Sequence, residues 1–326
     1  MRAAVVKSPD HLAVTELPDP VPAAGEVLVE VDAAGAGYVD VTAVRGGYRT
    51  PLHPGDIPGM EVAGRVTAVG PDVPDALVGQ RVLALMLEAG GYAERAVTGA
   101  DAVLPLPDGL DADAAVAAGI NAMVAEIALR RAGLRAGERV LVLGAGGGIG
   151  VLATQLAHAR GAEVTAVTSS AERAARLRAL GATRTVDRHS VTVPEGTGAG
   201  TGEADAYGTY DLVLDTVAGP DTAKHLRLLR TEGRYVLCGA AAGAPGADTL
   251  TALLTDFHKS PTLYVLSLNS VSTQERRQSW RRVTELITEG GLTPVVDERL
   301  PLDEADAALR RVAEGRQFGK VVLLPR

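Results

Sequence analysis

The hydrophobic positions follow one pattern up to about residue 112 and another pattern after it. In the first part they form short runs rich in Val, Ala and Leu, separated by Pro and Gly. Short apolar runs with turn residues between them predict the strands of a curled, barrel-like antiparallel sheet rather than βαβ units. These strands are predicted at residues 2–7, 11–17, 26–34, 61–70, 80–87 and 92–97.

Beyond residue 112 the pattern predicts alternating strands and helices. Residues 113–131 are rich in Ala and lack Pro, which predicts a helix. Strands that alternate with helices predict a parallel sheet with right-handed crossovers. The strands are predicted at 139–143, 163–168, 210–217 and 234–239, with a short one ending at residue 187, and the helices at 149–160, 171–180 and 221–230. A low-complexity segment at 194–202 interrupts the alternation and is expected to be a mobile loop.

A cluster of glycines lies where a buried strand meets an amphipathic helix. Residues 140–143 are apolar, five of the next seven residues are glycine, and 151–160 have a helical pattern. In this context the cluster predicts dinucleotide binding, because glycine permits a sharp turn and a close approach of the backbone to a pyrophosphate. The amino terminus of the helix then faces the phosphates. The predicted contacts are Gly144, Ala145, Gly147, Gly148, Ile149 and Gly150.

The carboxy-terminal segment contains four further elements. They are predicted as a strand at 263–268, helices at 274–289 and 305–312, and a strand at 320–324. Because the nucleotide-binding sheet is already complete before the last of these, we expect the tail to return to the first domain.

Composition and charge limit the possible partners. At 326 residues the chain is long enough for two domains. A net charge of −8 disfavours nucleic acid or an anionic membrane as the main partner. The single cysteine, Cys238, excludes an intrachain disulfide and a multi-cysteine zinc site, which favours a cytoplasmic protein. We find neither an apolar core of signal-peptide length near residue 1 nor an apolar run of about 18 residues, so no membrane partner is expected.

Six ordered landmarks resemble those of one family, and they lie at residues 38–48, 57–64, 144–150, 210–215, 233–236 and 319–323. The chain resembles the medium-chain dehydrogenase/reductase superfamily, in its zinc-independent quinone oxidoreductase and enoyl reductase branch. The resemblance implies an α/β protein with a barrel-type GroES-like catalytic domain, residues 1–117 with 290–326, and a doubly wound Rossmann domain, residues 118–289. It also implies hydride transfer from a nicotinamide to a small-molecule substrate, usually in a homodimer.

The same resemblance allows the metal site to be tested position by position. Zinc alcohol dehydrogenases of this superfamily use Cys, His and Cys at places that match Gly37, Met60 and Ala117 here. None of these three residues supplies a thiolate or an imidazole, so no metal is expected. Without a Lewis acid the substrate must already be activated, as a conjugated carbonyl is. Hydride then adds to the far carbon while the oxygen becomes an enolate.

Residues near the end of the second Rossmann strand indicate which nicotinamide cofactor is used. NAD-specific sites place a carboxylate there, whereas this strand ends in two serines. Ser170 and Arg173 resemble the family's Ser-x-x-Lys pair and would hold a 2′-phosphate, with Arg188 as a further cation, which favours NADPH. The alternative is that Arg173 and Arg188 are solvated surface charges. Gly239 and Lys320 are also predicted cofactor contacts, although Lys320 would equally well face water.

Three residues are candidates for the chemistry itself. The resemblance places Tyr48 where zinc-free enoyl reductases carry a tyrosine, and a phenol is a plausible acid for an enolate carbon. Asp40 is expected to orient the segment that carries Tyr48, and Asn121 to bind the cofactor or the substrate carbonyl. The alternatives are a tyrosine that only lines the cleft, an ordinary turn aspartate and a helix-surface asparagine. Relatives often have Asn and Arg where this chain has Gly37 and Val44, which indicates a different substrate pocket.

These observations predict an NADPH-dependent reductase of a conjugated carbonyl, either a quinone or an α,β-unsaturated ketone or acyl compound. An enoyl reductase that tailors a polyketide or another secondary-metabolite intermediate is the close alternative. A catalytically inactive nucleotide-binding structural or regulatory protein is the alternative from another class.

Overall fold

The computed structural model describes residues 1–49, 51–188 and 208–325. The low-complexity segment at 194–202 lies outside these residues, so its prediction as a loop stays a prediction. The strands are β1 (Arg2–Ser8), β2 (His11–Glu16), β3 (Glu26–Ala36), β4 (Glu61–Val69), β5 (Arg81–Leu85), β6 (Arg95–Gly99), β7 (Val103–Pro105), β8 (Arg139–Leu143), β9 (Glu163–Thr168), β10 (Arg184–Asp187), β11 (Tyr210–Asp215), β12 (Leu229–Leu237), β13 (Thr262–Val265), β14 (Val296–Pro301) and β15 (Lys320–Leu324). The helices are α1 (Tyr38–Val44), α2 (Ala112–Arg131), α3 (Gly148–Ala159), α4 (Ala171–Ala179), α5 (Thr222–Leu226), α6 (Thr249–Thr255), α7 (Thr273–Thr288) and α8 (Ala305–Ala313).

The chain divides into two compact units. Unit 1 comprises residues 1–123, 271–290 and 294–326, and unit 2 comprises residues 124–270 and 291–293. This division differs from the predicted boundaries, 1–117 with 290–326 and 118–289, mainly because α7 belongs to unit 1. The reason is a specific contact within unit 1, where the indole of Trp280 donates a hydrogen bond to the carbonyl oxygen of Pro105 at 2.9 Å.

The main sheet of unit 1 has seven strands built around β3. Six of them follow the order β14-β15-β3-β4-β5-β7. One edge of β3 pairs with β4, and the other edge is shared: residues 26–30 pair with β6 and residues 34–36 pair with β15, both antiparallel. A strand that divides one edge between two partners curls the sheet, as the barrel-like prediction requires. The pairing with β15 also confirms that the tail returns to the first domain.

The core of unit 1 is made of small aliphatic side chains. Alternate residues of β3 and β4 point inwards, in keeping with the period-2 pattern of the sequence. Val27, Val29, Val31, Val62 and Val66 are each 0% exposed. With aromatics at 3% of the chain, these valines fill the space that rings fill in other cores.

The sheet of unit 2 is parallel throughout and has the order β10-β9-β8-β11-β12-β13. Numbered within the sheet, this is the 3-2-1-4-5-6 order of the doubly wound dinucleotide-binding fold. The order reverses between β8 and β11, so their carboxyl ends form the topological switch point, where ligands bind in such sheets. The predicted Rossmann fold is confirmed.

Two helices differ from their predicted form. The helix α5 ends at Leu226, rather than near residue 230, because β12 already begins at Leu229. The helix α2 has the predicted extent but is interrupted at Gly119, whose φ of 11° and ψ of −123° are not helical. Although α2 has the length and hydropathy of a membrane span, 72% of that window is buried inside the protein. A core helix explains its apolar composition.

Candidate cofactor site and buried ionisable cluster

The glycine turn joins β8 to α3 at the switch point of unit 2. Gly144 follows β8 with a φ of 69°, in the left-handed region, and Gly147 is the N-cap residue of α3. A Cβ on Gly144 would overlap Oγ1 of Thr216, and a Cβ on Gly150 would overlap the carbonyl oxygen of Gly144. Only glycine therefore fits at positions 144 and 150 of this turn. The amides at 148–150 lie in the first turn of α3, where a helix has no intrahelical acceptor for them, so they fit a pyrophosphate.

A buried aspartate holds the neighbouring turn after β11. Asp215 is 0% exposed. Its Oδ1 accepts hydrogen bonds from the amides of Val217 and Ala218 at 2.7 and 3.0 Å, and its Oδ2 accepts one from the Tyr235 hydroxyl at 2.5 Å. Burial and the charge of Asp215 raise the pKa of Tyr235, so its hydroxyl remains a donor. The predicted contact Gly239 packs beside this turn, because a Cβ there would overlap the turn backbone.

The residues predicted to select the cofactor lie at the same edge of the sheet. Oγ of Ser170 caps α4 by accepting a hydrogen bond from the Arg173 amide at 3.2 Å, and Nη1 of Arg173 donates to Oγ of Ser169 at 3.3 Å. Arg188 directly follows Asp187, which pairs with the last residue of β9. The Ser170 hydroxyl and the Arg173 guanidinium therefore lie at the carboxyl end of β9, and the register brings the backbone of Arg188 to the same end.

The glycine turn is tied to this group by the backbone. The amide of Ala145 donates a hydrogen bond to the carbonyl oxygen of Val167 at 3.2 Å. The turn and the end of β9 thus form one continuous surface at the carboxyl edge of the parallel sheet. The residues present fit a dinucleotide that carries a 2′-phosphate.

Unit 1 buries a cluster of four ionisable side chains, Asp40, Glu61, Tyr92 and Lys320, each at most 4% exposed. Oδ2 of Asp40 accepts a hydrogen bond from the Gly37 amide at 2.8 Å and so holds the start of α1. Burial raises the pKa of Asp40 to about 6, against the opposing effect of the Lys320 charge. The nearby Tyr92 hydroxyl lowers the pKa of Asp40, because it favours the ionised carboxylate. Within the described part of the chain, neither that hydroxyl nor Oδ1 of Asp40 has a partner of standard hydrogen-bond geometry.

Lys320 is buried rather than solvent-facing, and its predicted contact with the cofactor phosphates stays a prediction. Its side chain is 5% exposed, and its Nζ donates a hydrogen bond to Oε1 of Glu61 at 2.5 Å. The expectation that it faces water is therefore wrong. Its ammonium is already neutralised by a buried carboxylate, so the structure offers no support for a phosphate contact.

The other two candidates for the chemistry are both half-buried. Asn121 is half-buried and follows Ile120, whose amide donates a hydrogen bond to Oε2 of Glu61 at 2.8 Å. Tyr48 is half-buried in the segment after α1. Asp40 holds the backbone at the start of α1, and its predicted role in orienting the segment that carries Tyr48 stays a prediction. The roles of Tyr48 and Asn121 in the chemistry stay predictions.

None of the three positions that match zinc ligands, Gly37, Met60 and Ala117, carries a thiolate or an imidazole. Met60 and Ala117 are 4% and 2% exposed and pack as apolar residues. In the described residues, no group of three or more His, Cys, Asp or Glu side chains is placed to hold a metal ion.

Two residues of structural importance were missed at the level of sequence. Asp215 ends the apolar run of β11, and Glu61 begins the apolar run of β4. A single acidic residue at the end of an otherwise apolar strand is the available signal, since a carboxylate rarely lies beside a buried strand without a specific partner.

Comparison with known proteins supports the same interpretation. The family model of the alcohol dehydrogenase GroES-like domain matches residues 23–108, and that of the zinc-binding dehydrogenases matches residues 180–323. The quinone oxidoreductase of Mus musculus is 31% identical over 310 residues, which cover 94% of this chain and 91% of that protein. The polyketide synthase GfsB of Streptomyces halstedii is 33% identical over 300 residues, which cover 92% of this chain and 5% of that protein.

Among solved structures, the quinone oxidoreductase of Thermus thermophilus, also determined in complex with NADPH, has a TM-score of 0.82 and 34% identity. The match covers 99% of this chain and 100% of that one. Fold and glycine turn together define a dinucleotide-binding α/β protein with a GroES-like domain. The chain belongs to the medium-chain dehydrogenase/reductase superfamily, in its quinone oxidoreductase branch.

Proposed function

We propose that the protein is an NADPH-dependent oxidoreductase that reduces a conjugated carbonyl, either a quinone or an α,β-unsaturated ketone or acyl compound, without a metal. One observation carries the proposal. The glycine turn lies at the switch point of a 3-2-1-4-5-6 sheet, and the end of β9 beside it presents serines and an arginine instead of a carboxylate. Similarity to quinone oxidoreductases supports the same reaction class.

The residues of unit 2 would hold the cofactor in two places. The amides at 148–150 and the positive end of α3 bind the pyrophosphate, while Gly144 and Gly147 keep the backbone accessible. Ser170 and Arg173 bind the 2′-phosphate through a hydroxyl and a guanidinium, with Arg188 as a second cation. When bound, NADPH supplies a hydride to the carbon of the substrate that is conjugated with its carbonyl group.

The residues of unit 1 would serve the substrate. Tyr48 holds a proton on its phenol oxygen for the enolate carbon of a reduced enone. The side-chain amide of Asn121 donates a hydrogen bond to the substrate oxygen. Gly37, Met60 and Ala117 provide no metal ligand, so the substrate must carry its own activation through conjugation.

Steady-state oxidation of NADPH with a simple quinone and with a simple enone tests this function. Tyr48→Phe is expected to lower kcat for the enone by roughly 100-fold and to spare the quinone, because water protonates a hydroquinone oxygen without help. Equal rates for the variant and the wild type with both substrates would show that Tyr48 is not the acid. Stoichiometric NADPH binding without turnover across both substrate classes would favour a nucleotide-binding protein that has lost catalysis.

A second candidate is the reduction of enoyl groups in a polyketide or another secondary metabolite. It is favoured by the similarity of 92% of this chain to a segment of the polyketide synthase GfsB. A comparison of kcat/KM for an enoyl thioester and for a quinone, at the same NADPH concentration, separates the two candidates. A tailoring enzyme should show the higher kcat/KM for the thioester.

We also propose a cytoplasmic homodimer that acts on a small molecule, with neither nucleic acid nor membrane as partner. Five large apolar side chains are exposed along 250–265, including Val265 at 64% on β13 and Phe257 at 73%. Since β13 is an edge strand of the parallel sheet, a second copy would pair with it and cover these side chains. Light scattering of Val265→Lys is expected to report a monomer, and an unchanged mass would refute this interface.

A further inference from the structure

An ion pair buried in unit 1 crosses over strand β3. Glu61 begins β4 and Lys320 begins β15, and these two strands pair with opposite edges of β3. Their side chains meet above Gly35 of β3, where a Cβ would lie 2.5 Å from Cε of Lys320 and 3.0 Å from Cγ of Glu61. The sequence therefore leaves room at Gly35 for a cation and a carboxylate that are 259 residues apart.

The second oxygen of Glu61 holds the kink of α2. Oε2 accepts a hydrogen bond from the amide of Ile120 at 2.8 Å, at the start of the second helical segment. A carboxylate is favourable at the amino terminus of a helix, because it satisfies a free amide and complements the helix dipole. A Cβ on Gly119 would overlap this oxygen. The kink thus depends on Glu61, and Asn121 is the second residue after it.

The ammonium of Lys320 also faces the segment before α1. A Cβ built on Gly37 would lie 3.5 Å from Nζ of Lys320 and 3.6 Å from Oδ2 of Asp40. This Asp40 oxygen holds the Gly37 amide. Lys320 therefore lies between the carboxylate that fixes the kink of α2 and the carboxyl group that fixes the start of α1.

We propose that Lys320 is a positioning residue whose buried ammonium, paired with Glu61, cross-links the three segments that a catalytic metal cross-links in zinc-dependent relatives. These segments are the residues before α1, the residues that lead into β4 and the first half of α2, and they contain Gly37, Met60 and Ala117. By holding them, the pair orients Asn121 and the chain that leads to Tyr48. This proposal rests on the proposed function for its kinetic consequence, but its structural consequence is independent of turnover.

The test compares Lys320→Met, Lys320→Arg and the double variant Glu61→Gln/Lys320→Met with the wild type. Loss of Lys320 alone leaves Glu61 buried and unpaired, which destabilises a protein. The double variant removes both charges and keeps the experiment informative if the single variant unfolds. Arg311→Met, which breaks the ion pair with Asp297 of the same unit at 2.6 Å, is the matched control.

Hydrogen exchange of a peptide covering residues 117–123, the NADPH dissociation constant and kcat are measured for each variant. Lys320→Met and the double variant are expected to exchange at least tenfold faster in this peptide and to lose at least tenfold in kcat. Their NADPH dissociation constant should stay within threefold of the wild type. Lys320→Arg should recover most of kcat, and Arg311→Met should change neither exchange in this peptide nor kcat.

Two results would overturn the proposal. An NADPH dissociation constant raised more than tenfold with unchanged exchange would make Lys320 a ligand of the cofactor phosphates. Unchanged exchange and unchanged kcat would make the pair a structural contact without a positioning role. If the wild type turns over neither quinone nor enone, the proposed function fails, and the exchange and binding measurements still decide the role of Lys320.

Discussion

The stability of unit 1 should depend on pH through one buried group, the carboxyl of Asp40. Burial raises the pKa of Asp40 to about 6 from an ordinary value of 3.8, with Glu61 adding to the rise and Lys320, the Gly37 amide and Tyr92 opposing it. The folded state binds the proton of the Asp40 carboxyl group more tightly than the unfolded chain does. The contribution of protonated Asp40 to the free energy of unfolding is therefore fully present below about pH 4. That contribution is lost as the pH rises through about 6.

The magnitude follows from the size of the shift. A difference of about 2 pKa units corresponds to about 3 kcal/mol of unfolding free energy, since each unit is worth about 1.4 kcal/mol. Asp40→Asn keeps an oxygen for the Gly37 amide but cannot ionise. The variant should therefore gain about 3 kcal/mol relative to the wild type between pH 4 and pH 8.

The single tryptophan makes the measurement specific to this unit. Trp280 is 2% exposed and belongs to unit 1, so its fluorescence during urea denaturation reports the unfolding of the unit that contains Asp40. Asp56→Asn, which removes a half-exposed carboxylate of the same unit, is the control for the loss of a carboxylate that is not buried. A constant difference between Asp40→Asn and the wild type from pH 4 to pH 8 would refute the reasoning.

The remaining predictions concern unit 2. Arg173→Ala should weaken NADPH binding roughly 10- to 100-fold and leave NADH binding unchanged, because only the 2′-phosphate loses a charge-assisted hydrogen bond; fluorescence titration with both cofactors measures this. Gly150→Ala should destabilise unit 2 by about 1–3 kcal/mol and abolish cofactor binding, since its Cβ would overlap the backbone of the turn. Gly147→Ala should fold normally, because its Cβ would have only an ordinary contact at 3.4 Å, and equal destabilisation of the two variants in thermal unfolding would contradict this. Asp215→Ala should lower the free energy of unfolding by about 2–4 kcal/mol and speed hydrogen exchange of the peptide at residues 216–218, because the amides of Val217 and Ala218 lose their acceptor. Unchanged exchange in this peptide would show that the turn is stable without Asp215.

Local signals predicted the nucleotide-binding half of the fold well. The strand β8, the glycine turn and α3 lie together in sequence, so the apolar run and the glycines specify them without help from the rest of the chain. The short helix α1 was not recognised, because seven residues carry less than two full periods of a helical pattern. The helix α5 was predicted too long, because the three leucines among residues 226–229 suit a helix and a strand equally.

The candidate site was predictable only where its residues are neighbours in sequence. Ser170 and Arg173 belong to one short segment, and the register of β10 with β9 adds Arg188. The contact between Glu61 and Lys320 joins opposite ends of the chain and has no local signal. The terminal Gly-Lys dipeptide on its own therefore did not indicate that this lysine is buried against Glu61.

The place of β15 in the sheet of unit 1 has a consequence for biosynthesis. Its partner β3 leaves the ribosome more than 280 residues before it, which at ordinary translation rates means a delay of roughly 15–60 s. In the sequence, unit 2 lies between β3 and β15, so it can complete its own sheet during that interval. The nascent amino-terminal half meanwhile exposes an unpaired strand edge, so chaperone dependence of this protein should follow the speed of elongation.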